Sequence, residues 1–257
     1  MSKQPRGRKL SLPVGRRLVA ELMHHARKVP TLPLARTCCI AELVAARQEA
    51  NPQPSWMALF IRAYGLLSQE MAPLRRAWIP FPWAHLYEHP TSECAVLLER
   101  LVEGEPTVLA AHLRNPEYVD LLSLDAHLRR YRERPVEEVT AFRQLLRLGR
   151  LPWLLRRFFL WRVLNTDGYR RATRLGTFVI SSLGNFGVEQ MHPLTALTTY
   201  FTFGPISADG TVTLKIIYDH RVLDGRTVAR ALVRLEELLN TTVLAELRSL
   251  EVSNSAR

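Results

Sequence analysis

A single domain of mixed α/β or α+β class, with one mixed β-sheet largely covered by helices, is the fold this 257-residue sequence predicts. Three observations carry that expectation. Residues 14–28 and 56–71 repeat apolar side chains at helical spacing. The last third is built instead of β-branched and aromatic runs: GTFVISSLGNFG at 176–187, LTTYFTFGPI at 197–206 and TVTLKIIYD at 211–219. The run RTVARALVRLEELLN at 226–240 then closes the domain as an amphipathic helix, with Val228, Leu232, Leu235 and Leu239 on its apolar stripe.

Taken in order, residues 14–28 predict a helix with Val14, Leu18, Leu22 and Met23 on one side, ended by Pro30 and Pro33. The run LARTCCIAEL reads as a strand. Ser55 is placed to cap a second helix, WMALFIRAYGLLSQEM, which Pro73 closes. AHLYEHP and ECAVLLERLV read as extended, Gly104-Glu105-Pro106 as a turn, and TVLAAHL as a further strand. Residues 123–147 are helical with a break at Pro135. Asp209-Gly210 is a hairpin turn between the last two strands. No linker of domain-separating composition interrupts the chain. The expected division is a basic tail at 1–12 and one domain at 13–257, within which 145–174 is a basic, aromatic, insert-like stretch.

Composition excludes several classes. With 47% apolar and 23% charged residues the chain can bury a core, so global disorder is excluded. Apolar runs such as LPWLL and FFLW fall far short of the roughly 20 residues of a membrane span. The N-terminus has no apolar stretch after its basic residues, so a cytoplasmic protein is expected. Three cysteines without CxxC spacing, Cys38, Cys39 and Cys94, make neither a disulfide framework nor a thiolate zinc site. No metal is expected: His24 and His25 face different sides of a helix, and His85 and His89 lack the helical HExxH pattern. The absence of GxxxxGK, GxGxxG and GxSxG removes support for phosphoryl transfer, dinucleotide redox and α/β-hydrolase chemistry.

The net charge of +11 is unevenly placed. Residues 1–17 hold six Lys/Arg and no acid, and residues 143–174 hold nine Arg against Asp167 alone. Such segments favour a polyanion, whether a phosphorylated cofactor or an anionic membrane, or else form a solvated face. No nucleic-acid-binding module is recognisable, and no nucleic-acid partner is expected.

The chemistry-bearing string is YDHRVLDG, residues 218–225. A strand delivers His220 to its end, and a carboxylate four residues on, Asp224, could fix the imidazole's tautomer, as a general base requires. HxxxD by itself fits a satisfied surface or core histidine at least as well. The whole string is more specific: it resembles the DHRxxDG signature of dihydrolipoamide acyltransferase catalytic domains, the acyltransferase subunits of 2-oxoacid dehydrogenase complexes, which share their fold with chloramphenicol acetyltransferase. GTFVISSLGNFG resembles the same family's GGTFTISNLGxFG strand, and GRRLVAELMHHARKVPTLPLA its opening helix and strand.

The resemblance implies a chloramphenicol acetyltransferase-like two-layer sandwich, a mixed β-sheet covered by helices. It implies His220 as general base and Ser181 as oxyanion donor, with Ser182 the lesser candidate. It also implies Asp224 fixing local structure through an arginine pair, Gly225 required by backbone geometry, and Arg221 as a structural partner for a carboxylate. A coenzyme A thioester is the implied co-substrate, with acyl-CoA or an acyl carrier as donor. The implied assembly is a homotrimer, or a larger particle built from it, with each site between two subunits and His220 and Ser181 supplied by different chains. The chain departs from the family in carrying no lipoyl domain, so no lipoyl group is expected on this chain and the acceptor would be small or lipophilic. The stretch 145–174 could contact an anionic membrane or line a lipophilic route, or be a packing helix. A non-catalytic trimeric or cage-forming scaffold is the alternative function.

Overall fold

The structure, a computed structural model, describes residues 7–255. Residues 1–6 of the expected basic tail, with Lys3 and Arg6, lie outside the described residues, and 7–13 form neither helix nor strand. The order is α1 (Val14–Ala26), β1 (Thr31–Cys39), α2 (Ala41–Glu49), α3 (Trp56–Glu70), β2 (Arg76–Ile79), β3 (His85–Glu88), β4 (Glu93–Val102) and β5 (Glu105–Arg114). There follow α4 (Leu121–Glu133), α5 (Thr140–Arg150), α6 (Trp153–Asn165), α7 (Gly168–Leu175), β6 (Phe178–Ser181), β7 (Thr199–Phe203), β8 (Thr211–Asp219), α8 (Gly225–Leu238) and α9 (Leu244–Ser255).

The mixed sheet runs β1-β8-β7-β6-β4-β5, and β2 and β3 form a separate antiparallel pair. Strand β6 lies parallel to both β4 and β7, while the β1–β8, β7–β8 and β4–β5 pairs are antiparallel. Alternation along each strand divides the sheet's side chains between two faces. On one face Phe178, Ile180, Phe201, Phe203, Leu214 and Ile216 join the main core with α3 and α8. Phe60 of α3 stacks on Phe203 at 4.1 Å, and Tyr64 on Phe201 at 5.1 Å. The fully buried Tyr64 hydroxyl needs a partner there and donates to Thr199 Oγ1 at 2.9 Å. On the other face Ala95, Val179, Tyr200 and Ile217 form a smaller cluster.

Local chemistry accounts for most boundaries. Ser55 caps α3, its Oγ accepting from the Ala58 N–H at 3.3 Å. Gly210 takes φ +80° in the β7–β8 turn, and a Cβ there would collide with Ala41, so glycine is required twice over. The expected strand LARTCCIAEL is only half strand: β1 stops at Cys39 and α2 begins at Ala41. The AELVAARQE segment is rich in strong helix formers, and these prevail over the short apolar run. Pro33, expected to help end the first helix, sits inside β1. An edge strand tolerates it, since β1 pairs only with β8. The break at Pro135 spans 134–139 and separates α4 from α5.

Candidate active site

His220 follows β8, held by two hydrogen bonds from the main chain around it. Its N–H donates to Pro30 O at 2.9 Å, where β1 begins. Its ring Nδ1 lies 2.9 Å from Leu223 O. A carbonyl only accepts, so Nδ1 carries the proton and Nε2 keeps the free lone pair. The exposed imidazole is thus set in the tautomer of a base, by a backbone oxygen and not by Asp224.

Among the described residues, the arginine pair expected for Asp224 does not form. Asp224 is the N-cap of α8, accepting from the Thr227 N–H at 2.7 Å, and that bond holds its carboxyl below the usual range. The need expected at Gly225 is also absent. Gly225 opens α8 outside the left-handed region, and a Cβ there would make only ordinary contact with the Tyr218 hydroxyl, at 3.4 Å.

The carboxylate that takes an arginine is Asp219, which is fully buried. Arg221 grips it through Nε and Nη2 at 2.7–3.2 Å and lies over the Trp78 ring. Asp219 also fixes the turn that carries His220: its backbone oxygen accepts from Val222 and Leu223, and its Oδ1 from the Arg221 N–H. Beside this pair Arg171 of α7 is wholly buried and donates to Trp78 O and Ala196 O, each at 2.8 Å. Burial lowers its pKa to about 10, with Asp219 working against that shift, so it stays charged at neutral pH. Sequence reasoning missed Arg171, because one arginine among nine in a basic stretch carries no local signal of burial.

Ser181 ends β6 and is nearly buried, with its hydroxyl toward that of Tyr200. Tyr200 and Thr202 both donate to Gln190 Oε1 at 3.3 Å. The Ser182 hydroxyl is already used in the turn, donating to Phe203 O at 2.8 Å and accepting from the Gly184 N–H at 3.1 Å. Sequence reasoning also missed Tyr200 and Gln190, which approach Ser181 only once β7 and the following face are assembled.

One chain does not bring His220 and Ser181 together. Ser181 is level with Thr202 of β7, and Thr202 with Lys215 of β8, whereas His220 lies five residues further on. At about 3.3 Å per residue and about 4.8 Å per strand, their backbones stand roughly 19 Å apart. A single carbonyl group cannot touch both.

The other histidines and the cysteines have surroundings of their own. His192 Nε2 meets Thr31 Oγ1 at 3.0 Å, near the His220 end of the sheet. His85 Nδ1 bonds Trp83 O, and His89 Nδ1 pairs with the Tyr87 hydroxyl. Cys38 and Cys94 are buried, and burial raises both thiols, Cys38 to about 12.

The stretch 145–174 is the end of α5, then α6 and α7. Trp153, Phe158 and Trp161 are 55%, 52% and 37% exposed, so these aromatics are not packed inside the chain. Its arginines do not all face outward. Arg156 and Arg157 both pair with the buried Glu21, and Arg171 is internal.

No protein-family model matches the sequence, and no curated protein is similar to it in sequence. Solved structures do match. The cubic core of the pyruvate dehydrogenase multienzyme complex superposes with a TM-score of 0.68 at 19% identity, over 95% of this chain and 100% of that one. Dihydrolipoamide acetyltransferase from Azotobacter vinelandii gives 0.67 at 20% identity, over 95% and 96%. Its structure was solved to define the catalytic roles of a serine, and of a histidine and an asparagine four residues apart. A truncated catalytic core of the 2-oxoacid dehydrogenase complex from Thermoplasma acidophilum gives 0.64 at 12%, over 91% and 99%. The chain therefore has the fold of dihydrolipoamide acyltransferase catalytic cores, along nearly its whole length.

Proposed function

We propose that this protein is an acyltransferase that moves an acyl group from a coenzyme A or carrier thioester directly to a small or lipophilic acceptor. The observation that carries the reading is the Nδ1–Leu223 O bond, which leaves His220 Nε2 free as a base at the end of a strand. Nε2 takes the proton from the acceptor's thiol, hydroxyl or amine as that atom attacks the thioester carbonyl. The new bond pushes charge onto oxygen, and the Ser181 hydroxyl donates to it. Collapse breaks the carbon–sulfur bond, and the proton on His220 passes to the departing thiolate. No acyl-enzyme forms.

The roughly 19 Å between His220 and Ser181 supports a site shared by neighbouring chains, in a homotrimer or a larger assembly of trimers. A histidine and an asparagine four residues apart act in the Azotobacter enzyme, matching His220 and Asp224 in spacing. Here the second position would act through the helix cap, a role that asparagine fills equally well. The setting is cytoplasmic, and the exposed aromatics of α6 support contact with an anionic membrane. A pure scaffold would have no use for a tautomer-fixed, exposed imidazole.

The test is thiol release from a panel of acyl-CoAs with thiol, alcohol and amine acceptors. Turnover lost by at least about 100-fold in His220→Ala, with assembly size unchanged, is the expected result. Near-normal turnover in that variant, or no CoA binding by calorimetry, would overturn the reading.

A further inference from the structure

Between the second face of the sheet and α1, α5, α6 and α7 lies an apolar pouch of about 150 Å³, walled by Leu18, Leu22, Leu97, Ala110, Val179 and Tyr200. It is on the scale of cavities that hold a benzene-sized group and stay dry. It opens into a wider space of about 790 Å³, and His112, Leu145, Leu148, Leu160, Arg174 and Leu175 line both. The pair together is of the size of a small-molecule site.

The walls change character along this passage. At its inner end Tyr200 closes the pouch with its ring, while its hydroxyl reaches Gln190 and Ser181. At the outer end stand Arg114 and Arg147, with Arg174 at the neck, all exposed, and none of the three forms an ion pair among the described residues. Between the two regions sits His112, whose buried Nδ1 has no hydrogen-bond partner. Burial, and then Arg114, lower its pKa to about 4, so the ring is neutral and able to donate to an oxygen.

A hydrocarbon interior and three unpaired guanidiniums at its neck and rim fit a ligand with an apolar tail and an acidic head. We propose that this space binds a single-chain anionic amphiphile, its tail in the pouch behind Tyr200 and its head among Arg114, Arg147 and Arg174. The site goes beyond the acyl-transfer reading and does not depend on it, because occupancy is measured without turnover. It also gives the stretch 145–174 a use, since Leu145, Leu148 and Leu160 face the tail, and Arg147 and Arg174 face the head.

Isothermal titration of the full chain with octanoate, decanoate and dodecanoate, each below its micelle concentration, tests this. One molecule binds per chain, and affinity rises roughly fourfold for each added methylene until the pouch is full. Acetate does not bind, and dodecyltrimethylammonium binds at least about tenfold more weakly than dodecanoate. Dodecyl phosphate run beside dodecanoate separates a lysophospholipid-type head from a free fatty acid, and tight binding of either supports the proposal. The double variant R147A/R174A, altered only at exposed side chains, loses about tenfold for the carboxylate series and nothing for the cation. Ala110→Phe fills the pouch and abolishes binding; should its thermal melt show misfolding, the double arginine variant carries the test. No binding at any chain length, affinity independent of length, equal affinity for the cation, or an unaltered double variant would each overturn it.

Discussion

If base and oxyanion donor come from different chains, two dead variants should repair one another. Ser181→Ala removes the donor and should cost about 10²–10³ in rate. His220→Ala removes the base and should cost about 10²–10⁴. Each pure variant then retains less than about 1% of wild-type turnover by those ranges. In a ring of three assembled at random from equal amounts of both, a site is whole when its base comes from a Ser181→Ala chain and its donor from a His220→Ala neighbour. That holds for about one site in four over all assemblies and for about one in three within each mixed trimer, so isolated mixed trimers should recover about a third of the wild-type rate. The register-derived gap of roughly 19 Å is what makes the outcome decisive, since a site within one chain would recover nothing. The assay is acyl-CoA thiol release after co-expression with two affinity tags and isolation of mixed assemblies. A rate no higher than the mean of the pure variants, with mixed assemblies verified by mass, refutes the shared site.

Four further outcomes follow from particular features. Asp224→Ala should lower the urea midpoint through loss of the α8 cap, while Asp224→Asn leaves it nearly unchanged. Glu93 is buried with one oxygen unpartnered, and burial raises its pKa to about 7 from an ordinary value of 4.5. The folded state then keeps a proton that the unfolded chain releases, so stability falls as pH rises from about 4.5 to about 7 and levels off above. Glu93→Gln should remove that slope and gain on the order of 2–3 kcal/mol at pH 8, read from denaturant titrations across the range; a wild-type slope kept by the variant contradicts it. His112 contributes the opposite slope: its folded pKa of about 4 lies below 6.5, so its share of stability is lost as pH falls through that window. Anionic vesicles should float the protein at low salt and release it above about 0.3 M, where the screening length is well under 10 Å. Trp153→Ala with Phe158→Ala should weaken that flotation, and negative flotation at low salt would make α6 a packing surface only.

What was legible in the sequence was whatever local chemistry decides. The last third could be read residue by residue because Asp209-Gly210, the aromatic runs and the closing stripe each admit one reading, and Val228, Leu232, Leu235 and Leu239 are indeed buried. The α2 segment was misread because a short apolar run carries no period, and only its Ala, Arg and Glu content distinguished it. At the candidate site, the motif singles out His220 and Ser181 but not what surrounds them. The choice of Asp219 over Asp224 as the arginine's partner depends on which carboxylate points into the face behind β8. The meeting of Tyr200, Gln190 and Ser181 depends on the parallel β6–β7 pairing. Neither leaves a trace in residue spacing.

The buried guanidinium of Arg171 bears on how this protein could have been assembled in evolution. It is contributed by α7, inside the stretch that reads as an insertion, yet it ties together the end of β2, the end of α6 and the approach to β7. Excising 145–174 would take the Arg171 donor from the Trp78 and Ala196 oxygens and remove one of the two guanidiniums beside Asp219. The stretch is therefore not a detachable module: a chain shortened by it would carry the deficit at the turn that holds His220.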